Sequence, residues 1–276
     1  MPGYLTKQER IAITGAQDLI IESLLDRQQY YDPLGEAERL GISSASWPLF
    51  GLTWPSGAYL AARLAIRPVN AAERILEIGC GLGLASLVGH RRGADMTASD
   101  CHPLAGLFFA RNLRLNGLLP MDYRHGQWGS TVPEVVALPV PTPEILSMVV
   151  SAVLPVALLG ALPVALPVAS PIALPAVLPV ALPIAVEGLF DLIIGSDLLY
   201  ERDARGDLAH FIALHACPKA EVWIVDPNRG NRPAFTREMA QLGFGMREEK
   251  LEAPLTAHQA AYKGRFLIYT RTVGTA

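Results

Sequence analysis

The stretch Arg74-Ile-Leu-Glu-Ile-Gly-Cys-Gly-Leu-Gly-Leu84 constrains this chain more than any other. Ile75 to Ile78 is a short apolar run and reads as a buried strand. It stops at Gly79, and Gly79, Gly81 and Gly83 then alternate with other residues. Glycine permits positive φ and leaves the backbone open to close approach, because no Cβ is in the way. Leu84 to Val88 reads as the first turns of a helix. Strand, glycine turn and helix begin a nucleotide-binding βα unit. The next apolar strand, Met96 to Ser99, ends at Asp100. A carboxylate about 20 residues beyond such a turn is placed to accept hydrogen bonds from ribose hydroxyls. A tight strand-to-helix turn would explain the glycines alone; Glu77 before them and Asp100 after them favour a nucleoside cofactor.

The spacing Glu77-x-Gly79-x-Gly81-x-Gly83 differs from the G-x-G-x-x-G of dinucleotide sites and resembles the first motif of class I S-adenosylmethionine (SAM) methyltransferases. Dinucleotide sites aim a helix N-terminus at a pyrophosphate. SAM has no phosphate, so the glycines need only make room for its amino-acid end and sugar.

The chain has 276 residues, a formal net charge of −3 and a pI of about 6.1. No Lys/Arg-rich run argues for a nucleic-acid partner. Cys80, Cys101 and Cys217 lack metal or redox spacing, so free thiols in a reducing cytoplasm are expected and no metal. Met1 to Arg10 lacks the apolar stretch of a secretory signal.

Gln17 to Tyr31 carries Leu19, Ile20, Leu24 and Leu25 at helical spacing, which predicts an amphipathic helix within an N-terminal helical segment, residues 1–46. Trp54-Pro-Ser-Gly57 leads into a helix over Ala58 to Ile66. Trp47 reads equally as core or as site; Trp54 offers a flat face to a purine or sulfonium. Pro103 to Asn116 reads as a helix, Met121 to Gln127 as a short strand, and Leu192 to Ile194 as a buried parallel strand ending in Gly195-Ser196-Asp197. Open α/β sheets hold ligands at the carboxyl ends of their strands, so Ser196, Asp197 and Tyr200 fall where chemistry belongs. A helix over Asp203 to Ala216, a strand over Glu221 to Val225, a helix over Phe235 to Leu242 and two closing strands complete the pattern.

Residues 133–186 break it. From Ala161 the sequence runs through six tetrapeptides with proline third in each, and no charge lies between Glu144 and Glu187. Each interior proline costs a helix about 3 kcal/mol, which argues against a membrane span, and the missing N–H groups exclude a central strand. An inert, extended low-complexity insertion in a surface loop is expected. Without it the chain has 222 residues, a comfortable single α/β domain over 47–132 and 187–276.

Trp54-Pro-Ser-Gly57, the glycine motif, Ser99-Asp100, the helix ending Asn112-Leu-Arg-Leu-Asn116, and Ser196-Asp-Leu-Leu-Tyr200 together resemble the seven-β-strand methyltransferases of the family-16 protein lysine methyltransferase group. The likeness covers residues 47–130 and 187–230. It implies a Rossmann-like α/β sheet ordered 3-2-1-4-5-7-6 with strand seven antiparallel, SAM as cofactor, and a lysine side chain of a protein as acceptor. It also implies that Trp54, Gly79, Gly81, Asp100, Trp128 and Ser196 surround SAM, joined by Glu77, Cys80 and Gly83 of the glycine turn. Asp197 and Tyr200 then face the acceptor. Gln127 stands where the group often has Asp; its carbonyl also accepts a hydrogen bond. The Asp226-Pro-Asn-Arg229 turn is similar to that of relatives that modify an electron-transfer flavoprotein subunit. Helix capping by Asp197 and packing by Tyr200 are compatible with these roles. A small-molecule N- or O-methyltransferase, or a non-catalytic interaction module, remains open on the same fold.

Overall fold

A computed structural model describes residues 3–129, 185–253 and 261–271. They belong to one compact unit, residues 1–129 with 183–276. The expectations for 133–184 lie outside the described residues.

The elements follow in chain order: β1 (Thr6–Ile11), β2 (Leu19–Leu24), α1 (Glu36–Arg39), a 3-10 turn (Trp47–Gly51), α2 (Pro55–Ile66), β3 (Arg74–Ile78), α3 (Leu84–Arg91), β4 (Asp95–Asp100), α4 (Ala105–Leu115) and β5 (Asp122–His125). Then come β6 (Phe190–Ser196), α5 (Asp207–His215), β7 (Ala216–Asp226), α6 (Arg232–Gln241), β8 (Phe244–Ala253) and β9 (Tyr262–Arg271). The central sheet runs β5-β4-β3-β6-β7-β9-β8. Counted from β3 as its first strand, this is the order 3-2-1-4-5-7-6. Strands β3 to β7 pair in parallel, while β9 is antiparallel to both β7 and β8.

The sheet is covered on both faces, so its strands are apolar in both directions. Ile75, Leu192, Ile194, Trp223, Val225, Phe266 and Ile268 point to one face and pack with Leu60 and Leu64 of α2, Leu87 and Val88 of α3 and Phe108 of α4. Leu76, Ile78, Ile193, Val222, Ile224, Leu267 and Tyr269 point to the other and meet Leu208 and Ile212 of α5 and Phe235 and Met239 of α6. Glu77 takes the Ile75 face, towards α3. β3 and β6 are neighbours whose connections leave in opposite directions, so a crevice opens at their carboxyl ends.

The N-terminal segment differs from expectation. Gln17 to Tyr31 forms no helix; β1 and β2 make an antiparallel hairpin instead. The deciding period is two: Leu19, Ile21 and Ser23 are buried, while Ile20 and Glu22 are less so. The outer edge of β2 is closed by side chains rather than a strand. Asn116 accepts from the Ile20 N–H at 3.0 Å and donates to its carbonyl at 2.8 Å. Asn112 treats Glu22 in the same way, at 2.8 and 3.3 Å. Residues four apart on a helix share a face, so α4 presents two amides in line, as a neighbouring strand would. α2 begins at Pro55, earlier than expected, because proline's fixed φ suits the first helical position.

Candidate active site

In the loop between β3 and α3 each glycine takes a left-handed backbone, and Cys80 and Leu82 between them do not. Gly79, Gly81 and Gly83 have φ of 56, 51 and 75°. A Cβ at Gly79 would lie 2.4 Å from Leu198, one at Gly81 would lie 2.7 Å from the Phe50 carbonyl oxygen, and one at Gly83 would strike the Phe109 ring at 2.4 Å. The glycines are thus demanded by the protein's own packing as well as by room for a ligand.

Two buried carboxylates fix this loop. Glu77 accepts from the backbone N–H of Ser86 at 2.7 Å and from its hydroxyl at 2.5 Å, tying β3 to the first turn of α3. Burial, opposed by these bonds and reinforced by nearby Asp100, pushes the Glu77 carboxyl up to about 7. Asp100, at the end of β4, accepts from the N–H of Gly81 at 2.8 Å and of His102 at 2.8 Å. Its carboxyl is also raised by burial. A carboxylate has about four acceptor positions, so Asp100 keeps capacity for a further donor after holding the loop. His102 stacks on Phe50 with centroids 3.7 Å apart, and its Nδ1 accepts from the Leu104 N–H. Burial drops its imidazole to about 3, so it is neutral.

The loop borders a cavity of about 850 Å³, within the roughly 300–1,000 Å³ of small-molecule sites. Trp54, Glu77, Gly79, Cys80, Gly81, Asp100, Gln127, Trp128, Ser196, Asp197 and Tyr200 all line it. Gly83 does not: it caps α3, one step behind the wall. Cys80 is buried and its thiol is raised well above the usual range by that burial, which leaves it inert as a nucleophile. Trp47 belongs to the core, 1% exposed. Trp54 donates its indole N–H to Leu49, and its ring lies 4.9 Å from the Arg27 guanidinium and 5.9 Å from that of Arg229. The cations beside Trp54 are therefore protein side chains.

Asp197 is not a helix cap, because α5 begins only at Asp207. It stands immediately after β6 with φ 57°, a left-handed backbone that non-glycine residues adopt at a cost. Its N–H bonds the Val225 carbonyl, which holds the bend against β7. One carboxylate oxygen accepts from Arg229 Nη2 at 3.0 Å; the other is buried without a partner among the described residues. Arg229, Arg27 and His102 also line the cavity, and the sequence reading named none of them as site residues. The available signal was the position of Arg229, at the carboxyl end of a parallel strand.

No protein-family model matches the chain. Over 79 residues it is 34% identical to the electron transfer flavoprotein β-subunit lysine methyltransferase of Xenopus laevis, covering 28% of this chain and 32% of that protein. Over 124 residues it is 27% identical to the enzyme of the same name from Rattus norvegicus, covering 44% of this chain and 47% of that protein. The chain thus spans less than half the length of these curated relatives. Among solved structures, a methyltransferase from Pyrococcus furiosus aligns over 86% of this chain and 98% of its own, with a TM-score of 0.46 and 15% identity. The magnesium protoporphyrin IX methyltransferase of Synechocystis PCC 6803 aligns over 78% and 76%, with a TM-score of 0.45 and 12% identity. The chain is a Rossmann-like α/β protein with a mostly parallel seven-stranded sheet, similar over part of its length to electron transfer flavoprotein β-subunit lysine methyltransferases.

Proposed function

We propose that this chain is a SAM-dependent methyltransferase whose acceptor is a lysine side chain of a protein. The observation that carries the reading is the convergence, on one cavity, of the glycine loop after β3, Asp100 after β4 and Ser196-Asp197 after β6. The residues fit the cofactor. Asp100 retains acceptor capacity for ribose hydroxyls, and Gly79 and Gly81 present bare backbone to the cavity on either side of Cys80. The Gln127 carbonyl oxygen and the Trp128 indole N–H are buried without partners among the described residues. The Gln127 oxygen suits an adenine amino group.

SAM supplies an electrophilic methyl group on an activated leaving group, so the protein's task is alignment and exclusion of water. The acceptor nitrogen must give both electrons of the new N–C bond. A lysine amine has an ordinary pKa of about 10.4 and must first lose a proton. Desolvation in the cavity favours the neutral amine. The Asp197 carboxylate, held at the end of β6, orients it, and Tyr200, 43% exposed at the rim, packs beside it.

The relatives' printed names make the electron transfer flavoprotein β subunit the first acceptor to try. No described helix is long and apolar enough to cross a membrane. The free cysteines fit a reducing compartment, and a cytoplasmic location is part of this proposal. The insertion expected over 133–186 ends earlier, because Ala185 bridges to His125 and Val186 is buried in the core; residues 133–184 are proposed as an appendage to the domain. The test is incubation with methyl-labelled SAM, the β subunit and, separately, a lysate of the source organism. Label in a discrete protein, on lysine, is expected. Label only among small molecules would replace lysine by a small acceptor.

A further inference from the structure

Resting on the lysine-methylation reading, we propose that Arg229 is a positioning residue: paired with Asp197, it offsets that carboxylate's charge so that Asp197 orients the acceptor amine without holding it protonated.

The difficulty it resolves is electrostatic. An isolated carboxylate within about 4–6 Å of an amine favours the ammonium, and an ammonium has no lone pair with which to attack. Yet Asp197 is placed with care, on a left-handed bend clamped to Val225 at the mouth of the β3–β6 crevice. The structure supplies the counter-charge. Arg229 Nη2 lies 3.0 Å from one Asp197 oxygen, and the Asp197 side chain is only 11% exposed. Guanidinium stays charged at any working pH, unlike an imidazole in the same place. The second Asp197 oxygen has no protein partner among the described residues and is the one left for an amine N–H.

Arg229 is itself held. Its backbone N–H donates to Asp226 at 3.0 Å, and Asn228 before it is left-handed, with φ 62°. Asp226 is wholly buried, and burial raises its carboxyl. The other charged or titratable groups around the pair are Tyr262 on β9, Tyr200 and Glu201 on the loop after β6, Arg232 on α6 and Arg27 across the Trp54 ring. None of the cations among them is placed by a hydrogen bond or ion pair on the Asp197 carboxylate; Arg229 is.

The experiment measures kcat/KM against pH, from 6.5 to 9.5, using methyl-labelled SAM and the electron transfer flavoprotein β subunit. Wild type, Arg229→Gln, Arg229→Lys and Asp197→Asn are compared, with Arg229→Gln also made in the Asp197→Asn background. SAM affinity and melting temperature are read on each. Arg229→Gln should move the alkaline rise of the profile up by about one pH unit. That is about a tenfold loss at pH 7.5, with recovery towards pH 9.5, and SAM affinity should change less than threefold. Arg229→Lys should restore most of the loss, and the shift should shrink when Asp197 is already Asn. A loss equal at every pH, an unchanged profile, or the same shift in both backgrounds would overturn the proposal. Absence of label with the wild-type protein on any protein acceptor would instead overturn the lysine reading beneath it, and the proposal with it.

Discussion

At the scale of single residues, the site is built from groups that would be costly anywhere else. Gly81→Arg should abolish SAM binding in a calorimetric titration, because both its φ and the Phe50 carbonyl forbid a side chain. Gly83→Ala makes the complementary test. It should cost about 1–3 kcal/mol of stability, with less effect on SAM affinity in the fraction that folds, since Gly83 is off the cavity wall. Glu77 makes a prediction with a definite sign. Its folded carboxyl titrates near 7 against an ordinary 4.5, so the folded state binds the extra proton between those values. Stability from this group is therefore fully present below about pH 4.5 and is lost as pH rises through 7, by an amount on the order of 3 kcal/mol. His102 acts oppositely: its depressed imidazole, near 3, makes the unfolded chain the better proton binder below about 6.5. The melting temperature of wild type alone mixes the two. The difference between Glu77→Gln and wild type isolates Glu77, and it should grow in favour of the variant between pH 5 and 8. A constant difference would mean that Glu77 does not change its protonation on folding.

Secondary elements meet at α4. Its Asn112 and the Asn116 that caps its C-terminus satisfy the edge of β2, and the Asn112 amide also reaches the Leu82 carbonyl in the glycine loop at 3.4 Å. One side chain thus joins the N-terminal hairpin to the glycine loop. Asn112→Ala leaves backbone groups of Glu22 without their partner, at about 1–3 kcal/mol. Urea unfolding should show that loss, and limited proteolysis should cut first between residues 12 and 30. Arg111 pairs with Glu22 at 2.9 Å alongside; being partly exposed, that ion pair is worth less than about 1 kcal/mol. If proteolysis of the variant began elsewhere, the amide ladder would not be what fixes the hairpin.

For the whole molecule, the described core on both faces of the sheet is assembled from residues outside 133–184. Deleting 133–184, which keeps Ala185 on its bridge to His125 and Val186 in the core, should therefore leave a folded chain that binds SAM within about threefold of the full-length protein. β5 and β6 flank the deletion, so a short Gly/Ser linker should replace it. Loss of the cooperative thermal transition would show that the segment contributes to the core.

Local patterns determined the central architecture. The apolar runs of β3, β4, β6 and β7, each closed by glycine or acid at its carboxyl end, carry their meaning in adjacent residues, and a parallel sheet puts those ends on one side. Asp100, Ser196, Asp197 and Tyr200 fall on one cavity for that reason. Tertiary structure alone decided what adjacent residues cannot encode. Leu19, Ile20, Leu24 and Leu25 fit a helix, yet β2 pairs with β1, and the amides of Asn112 and Asn116, 90 or more residues away, meet its other edge. Asp197 read as a group facing the acceptor, with helix capping a compatible alternative; the start of α5 at Asp207 removes the cap, and Arg229, 32 residues on, gives its carboxylate a partner no local pattern indicated. The glycines read as room for a ligand, whereas the Phe50 carbonyl and the Phe109 ring already occupy two of those positions. In each case the deciding neighbour is distant in sequence, and only folding brings its charge, hydrogen bond or volume to bear.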